Sequence, residues 1–169
     1  IIVTKCPEII TPDEMRKVEA EIPPQKGQEV FFSTFQYESL IPVFSAGKRN
    51  EALLQNQDLS VLFMAGIVSP QLAINQLKSC YANVERLLFP DHHNFTAKDF
   101  EKLSAKFSAM NRDNTIVVVT EKDASRIISH PQYPEALKEK TFALPIQVKI
   151  LDGKEQLFNE KIKQYVREN

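Results

Sequence analysis

Strand-like and helix-like stretches alternate along these 169 residues. That alternation predicts an α/β fold: a mostly parallel sheet with helices on both faces, Rossmann-like and three-layered, preceded by a β-ribbon connector. Three observations carry the expectation. Helical patterns of roughly 10–15 residues separate the strand-like runs, the spacing of βαβ units. Thr115 to Thr120 is β-branched and apolar throughout, as central parallel strands are. Several helical stretches open on a cap signal.

In order, Ile1 to Thr4 reads as a strand, and Thr11-Pro12-Asp13-Glu14 as a helix start. There Thr11 caps, Pro12 takes the first helical position and Glu14 closes a capping box. Met15, Val18 and Ile22 follow at helical spacing. Val30 to Tyr37 and Leu40 to Phe44 are extended runs, expected to pair as a hairpin or ribbon. Residues 45–58 are polar and suit a connector. Val61 to Ala65 is a buried strand, followed by Gly66 and by Ser69-Pro70 as cap and first helical residue. Ala73, Leu77, Cys80 and Tyr81 share the expected inner face of that helix. The strand from Val84 to Phe89 leads to a helix capped by Thr96, with Asp99 three residues on and Phe95 and Phe100 as a hydrophobic staple. Phe100, Leu103, Phe107 and Met110 form its inner stripe. A short helix follows Asp123, and Phe142 to Leu151 returns as a strand in which Pro145 hints at an edge. Asp152 is expected to cap a last helix, with Phe158, Ile162, Tyr165 and Val166 inward.

The bulk composition narrows the function classes. Hydrophobic residues make up 43% and charged residues 25%, enough for a real core. Lys plus Arg (21) nearly cancels Asp plus Glu (22), which argues against a nucleic-acid partner. Cys6 and Cys80 stand apart, without the spacing of a zinc site or disulfide framework, so a reducing cytoplasmic compartment fits. No apolar run approaches the ~18 residues of a membrane span. The first residues, Ile1-Ile2-Val3-Thr4-Lys5, read as a strand already under way, the expectation for a fragment of a longer protein.

Chemistry concentrates at two strand ends. Phe89-Pro90-Asp91-His92-His93-Asn94-Phe95 places two of the three histidines beside a carboxylate, at the carboxyl edge of a strand where ligands collect in open α/β sheets. A dinuclear metal centre needs several more carboxylates, and no Asp-x-Asp pair stands at a strand end, so no metal is expected. The plain alternative is a polar turn with Asp91 and Asn94 bonding backbone amides. Adjacent histidines point apart, so one at most is expected to act. Thr120-Glu121-Lys122-Asp123 is the second cluster, where Asp123 would cap the next helix or Lys122 would meet a phosphate with Glu121 or Asp123 holding it. His130 reads as surface. Ala46-Gly47-Lys48 fails as a phosphate-binding loop, because Pro42 stands where the first glycine belongs and Arg49 where Ser or Thr would hold magnesium. Four glycines leave no dinucleotide fingerprint.

Gly66-Ile67 with Pro70, Phe89 to Thr96, and Val118-Val119-Thr120-Glu121-Lys122-Asp123-Ala124 together resemble, in order and spacing, the C-terminal half of the tetraacyldisaccharide 4'-kinase family of lipid A biosynthesis. Ile2 to Pro7 resembles the strand closing that family's nucleotide-binding lobe. The resemblance implies a kinase that moves the γ-phosphoryl of ATP, with Mg²⁺, to the 4'-hydroxyl of a lipid A disaccharide precursor at the cytoplasmic face of the inner membrane. It implies residues 1–28 as a remnant of the nucleotide-binding lobe, 29–58 as a two-stranded connector and linker, and 59–169 as the C-terminal α/β lobe. It matches the family's Asp-His motif to Asp91 and His92, with His92 assisting the base and Asp91 fixing the ring or loop. Lys122, Asp123 and Glu121 would line the substrate or phosphate cleft. The family's P-loop and acidic magnesium motif belong to its N-terminal half and find no match here, so the fragment alone is expected to be inactive and to hold neither ATP nor Mg²⁺. Two other readings are a metal-dependent phosphoesterase of the Asp-His-His type and a non-catalytic α/β interaction module.

Overall fold

A computed structural model describes residues 1–44, 58–110 and 112–168. The polar connector, with Ala46-Gly47-Lys48, lies almost wholly outside the described residues. Two compact units emerge: residues 1–36 with 146–169, and residues 37–145. The expected boundaries after 28 and 58 do not coincide with this division, chiefly because 146–169 joins the N-terminal segment.

The first unit holds β1 (Ile2–Val3), α1 (Pro12–Glu21) and β2 (Phe31–Tyr37), whose last residue opens the other unit. After the second unit, the chain returns as β8 (Ile146–Ile150) and α6 (Glu155–Glu168). Its sheet has the order β1-β2-β8, with β1 parallel to β2. The capping box forms as the sequence dictates: Thr11 N and Oγ1 both donate to Glu14 Oε2 at 2.7 Å, and Glu14 N donates to Thr11 Oγ1. Those hydrogen bonds hold the Glu14 carboxyl below its ordinary range. Val30, Phe32 and Leu151 form a small core against Val3, Met15 and Val18.

The second unit contains β3 (Ile41–Pro42), β4 (Ser60–Ala65), α2 (Gln71–Cys80), β5 (Asn83–Leu88), α3 (Ala97–Ala109), β6 (Thr115–Thr120), α4 (Glu121–Ile127), α5 (Glu135–Lys138) and β7 (Thr141–Leu144). Its sheet runs β3-β7-β6-β4-β5, parallel except for β3, which pairs antiparallel with β7. Alternate residues of each strand feed opposite faces. Val61, Phe63, Ile116, Val118 and Phe142 pack with Ala73, Ile74 and Leu77 of α2. Leu62, Met64, Val117, Val119 and Ala143 pack with Phe100, Leu103 and Phe107 of α3, Ile127 of α4 and Leu137 of α5. The α/β architecture with helices on both faces, and β6 at its centre, is the one the alternation predicted.

Several local expectations are corrected. The ribbon of Val30–Tyr37 with Leu40–Phe44 does not form. Both edges of β2 are taken by β1 and β8, while Leu40 and Phe44 bury their side chains in the cores of the second unit. The single run from Phe142 to Leu151 is two strands in different sheets, broken at Pro145, which has no N–H for a ladder. Pro70 rather than Ser69 stands at the cap position of α2, with no side-chain cap hydrogen bond, and Cys80 is exposed while Ile74 takes the inner position. Asp152 has φ +59 and lies outside α6, whose Ile162, Tyr165 and Val166 are exposed in this chain. Phe158 does turn inward, edge-on to Phe31 at 5.2 Å.

Candidate functional site

In the second unit β4 and β6 are neighbours, yet their following segments diverge. β4 leads to α2 on one face of the sheet, and β6 to α4 on the other. A crevice outside the carboxyl ends of two such strands is the topological switch point at which open α/β sheets bind ligands. Gly66 follows β4, Thr120 ends β6, and the turn after β5 lies one strand away.

A carboxylate ties this point together. Asp123 is wholly buried at the third position of α4, and its Oδ2 accepts from Gly66 N (3.0 Å) and Thr120 Oγ1 (2.7 Å). Asp123 N in turn donates to Thr120 Oγ1 at 3.1 Å, so Thr120 is the helix cap rather than Asp123. Asp123 Oδ1 has no hydrogen bond and faces Arg126 Nη1 at 3.7 Å. A side chain on Gly66 would meet Asp123 Oδ1 and the Pro90 carbonyl at 3.4 Å and His93 Cβ at 3.5 Å, so the three loops converge on this glycine.

The Asp-His-His segment is a tight turn. His93 N donates to the Pro90 carbonyl at 3.2 Å, and His92, the third residue of the turn, has φ +57. Turns with a positive φ at that position favour Gly or Asn. A histidine there carries backbone strain of about 1–2 kcal/mol. Such strain gathers at functional sites. Asp91 Oδ1 accepts from Lys122 Nζ at 2.9 Å, and its Oδ2 lies 3.4 Å from His92 Nε2. The hydrogen bond from Lys122 leads the interactions that hold the Asp91 carboxyl below its ordinary range. The His92 side chain is 75% exposed, with Nδ1 at 3.5 Å from Arg126 Nη2.

His93 is built in instead. It stacks on Phe89 at 4.7 Å, and its Nε2 lies 2.9 Å from Asp99 Oδ2. That oxygen also accepts from Thr96 N (3.0 Å) and Thr96 Oγ1 (2.8 Å), completing the capping box of α3. Burial alone would raise the Asp99 carboxyl, but the bonds from His93 and Thr96 outweigh it and bring it down to about 2.

The structure therefore brings Asp91 and His92, after β5, together with Lys122, after β6, at the surface of the sheet's carboxyl edge. Glu121 is exposed at the start of α4, and Asp123 lies beneath the surface as a tie between loops. Arg126 escaped the sequence reading. It sits one helical turn beyond Lys122, and spacing of i, i+3 from Asp123 was the available signal. His130, expected at the surface, is half-buried with its ring edge-on to Phe100 at 4.8 Å. Among the described residues, no group of three or more His, Cys, Asp or Glu could hold a metal ion. Nor is any helix among them long and apolar enough to cross a membrane.

Fold and site define a three-layer α/β protein whose polar groups meet at a switch point of the sheet. The family model described as "Tetraacyldisaccharide-1-P 4'-kinase" matches residues 5–167, and the chain belongs to that family. Among curated proteins, a tetraacyldisaccharide 4'-kinase of Phocaeicola vulgatus is 37% identical over 169 residues, covering 100% of this chain and 46% of its own length. One from Bacteroides thetaiotaomicron is 36% identical over 176 residues, again covering 100% and 46%. The chain thus spans about half the length of the curated relatives it matches. The crystal structure of an "apo" form LpxK from Aquifex aeolicus in complex with ATP aligns with 86% of this chain and 42% of its own, at 19% identity and a TM-score of 0.45.

Proposed function

We propose that this chain is the C-terminal part of an ATP-dependent lipid kinase that phosphorylates the 4'-hydroxyl of a tetraacyldisaccharide 1-phosphate. The observation that carries the reading is the family match across residues 5–167. On this reading His92 assists deprotonation of the sugar hydroxyl, and Asp91 orients the imidazole from its Nε2 side. Lys122 keeps Asp91 ionised and stands where a substrate phosphate can approach. Asp123 shapes the crevice floor, and Glu121 lies at its rim on α4. Magnesium with ATP supplies charge neutralisation and the transferable phosphoryl group. On this reading the part of Asp91, His92, Lys122 and Asp123 is binding, orientation and proton handling. The complete protein would work at the cytoplasmic face of the inner membrane as a peripheral enzyme, meeting its lipid substrate there, with residues 1–28 continuing a nucleotide-binding lobe.

The test is transfer of labelled γ-phosphate from ATP to the lipid disaccharide. The complete protein should phosphorylate it at the 4' position, while this chain alone should neither bind ATP tightly nor turn over. Measurable phosphorylation by this chain alone overturns the division of labour.

A further inference from the structure

We propose that Arg126 is a positioning residue for His92, a guanidinium fork that fixes both the imidazole tautomer and the turn that presents it. The inference rests on His92 being the acting histidine. Arg126 leaves α4 with its Nη1 beside the buried Asp123 Oδ1 at 3.7 Å, an acceptor that has no hydrogen bond of its own. From that anchorage Nη1 donates to the His93 carbonyl at 3.3 Å, and Nη2 lies 3.5 Å from His92 Nδ1. One side chain therefore grips the turn on the far side of His92 and the ring of His92 itself. Lys122 holds the near side through Asp91 at 2.9 Å. Between the two anchors the left-handed backbone of His92, φ +57, is over-determined.

The fork also assigns the proton. Guanidinium has donors only and stays charged. His92 Nδ1 must then be the acceptor, and a neutral ring carries its hydrogen on Nε2, toward Asp91 Oδ2 at 3.4 Å. That assignment follows from the partners of each nitrogen. An exposed histidine with one fixed partner would still rotate. With Arg126 beside one nitrogen and Asp91 beside the other the ring orientation is preorganised, and the 3.5 Å contact at Nδ1 is long enough to yield to a substrate hydroxyl.

The experiment is long-range ¹H–¹⁵N correlation on the ¹⁵N-labelled chain at about pH 9, above the ordinary histidine range. In the unmutated chain Nε2 of His92 should carry the hydrogen and Nδ1 should show a hydrogen-bonded acceptor. Arg126→Met should move Nδ1 downfield toward the free-imidazole position and change the His92 HN–Hα coupling, with His130 unmoved. Exchange protection at Val117 to Val119 reports whether the variant is folded. If Arg126→Met does not fold, Arg126→Lys, which keeps the charge beside Asp123 but loses the fork, should show the same direction of shift. A hydrogen on Nδ1 in the unmutated chain overturns the proposal outright, as does a folded variant in which His92 is unchanged. Because the readout is spectroscopic, it can fail while the kinase reading stands, and the reverse.

Discussion

Replacing Asp123 by Ala should be among the most damaging single changes in the second unit. The carboxylate is wholly buried and serves Gly66 N at 3.0 Å and Thr120 Oγ1 at 2.7 Å. Stranding the Gly66 amide without an acceptor costs about 1–3 kcal/mol, and losing the Thr120 bond about 1 kcal/mol more. Arg126, partly exposed, loses its counter-charge at 3.7 Å, a contribution of at most about 1 kcal/mol. The total is about 2–5 kcal/mol. Native-state hydrogen exchange at Val117, Val118 and Val119, in the central strand, reads that quantity as opening of the unit. Protection there should fall by between about 30-fold and several thousand-fold. Asp123→Asn keeps one carbonyl oxygen for Gly66 and should lose less than half as much. A loss under about tenfold in Asp123→Ala would refute the claim that this carboxylate ties the ends of β4 and β6 together.

Other changes separate strain, pH and space. His92→Gly should leave stability unchanged or raise it by up to about 1 kcal/mol in urea melts, since glycine carries no penalty at φ +57, whereas His92→Val should lower it by about 1–2 kcal/mol. Asp99 is held at about 2 in the fold against 3.8 ordinarily, so its stabilisation is complete above the ordinary value and lost as pH falls through about 2. Urea midpoints should drop on acidification from about pH 5 to about pH 2, and Asp99→Asn should flatten up to about 2 kcal/mol of that dependence. Gly66→Ala should be tolerated, because the added carbon meets its neighbours at 3.4–3.5 Å, while Gly66→Val should displace the Pro90 and His93 segment and shift their amide resonances.

The strand and helix pattern of the second unit was legible because local rules and tertiary packing agree there. The capping box at Thr96–Asp99 and the stripe of Phe100, Leu103 and Phe107 serve the same buried face that the spacing indicates. Strand pairing was not legible where two runs of equal β character compete for partners. Nothing local says that β2 takes β8, because the choice lies in which core each side chain enters. The tail of the chain misleads for the opposite reason: α6 has the periodicity of a buried helix, yet Ile162, Tyr165 and Val166 are exposed in this chain. Within the site, the Asp-His turn could be read from residue types alone. The depth of Asp123 and the reach of Arg126 could not, since both depend on the convergence of strand ends that are distant in sequence.

The central claim is that His92 acts on the proton of the acceptor hydroxyl. Steady-state phosphoryl transfer by the complete protein carrying His92→Ala tests it most directly. General-base assistance is worth about 10²–10⁴ in rate, so kcat should fall by at least about 100-fold while KM for the lipid stays within a few-fold. An unchanged kcat would contradict the claim and leave His92 as the strained third residue of a polar turn.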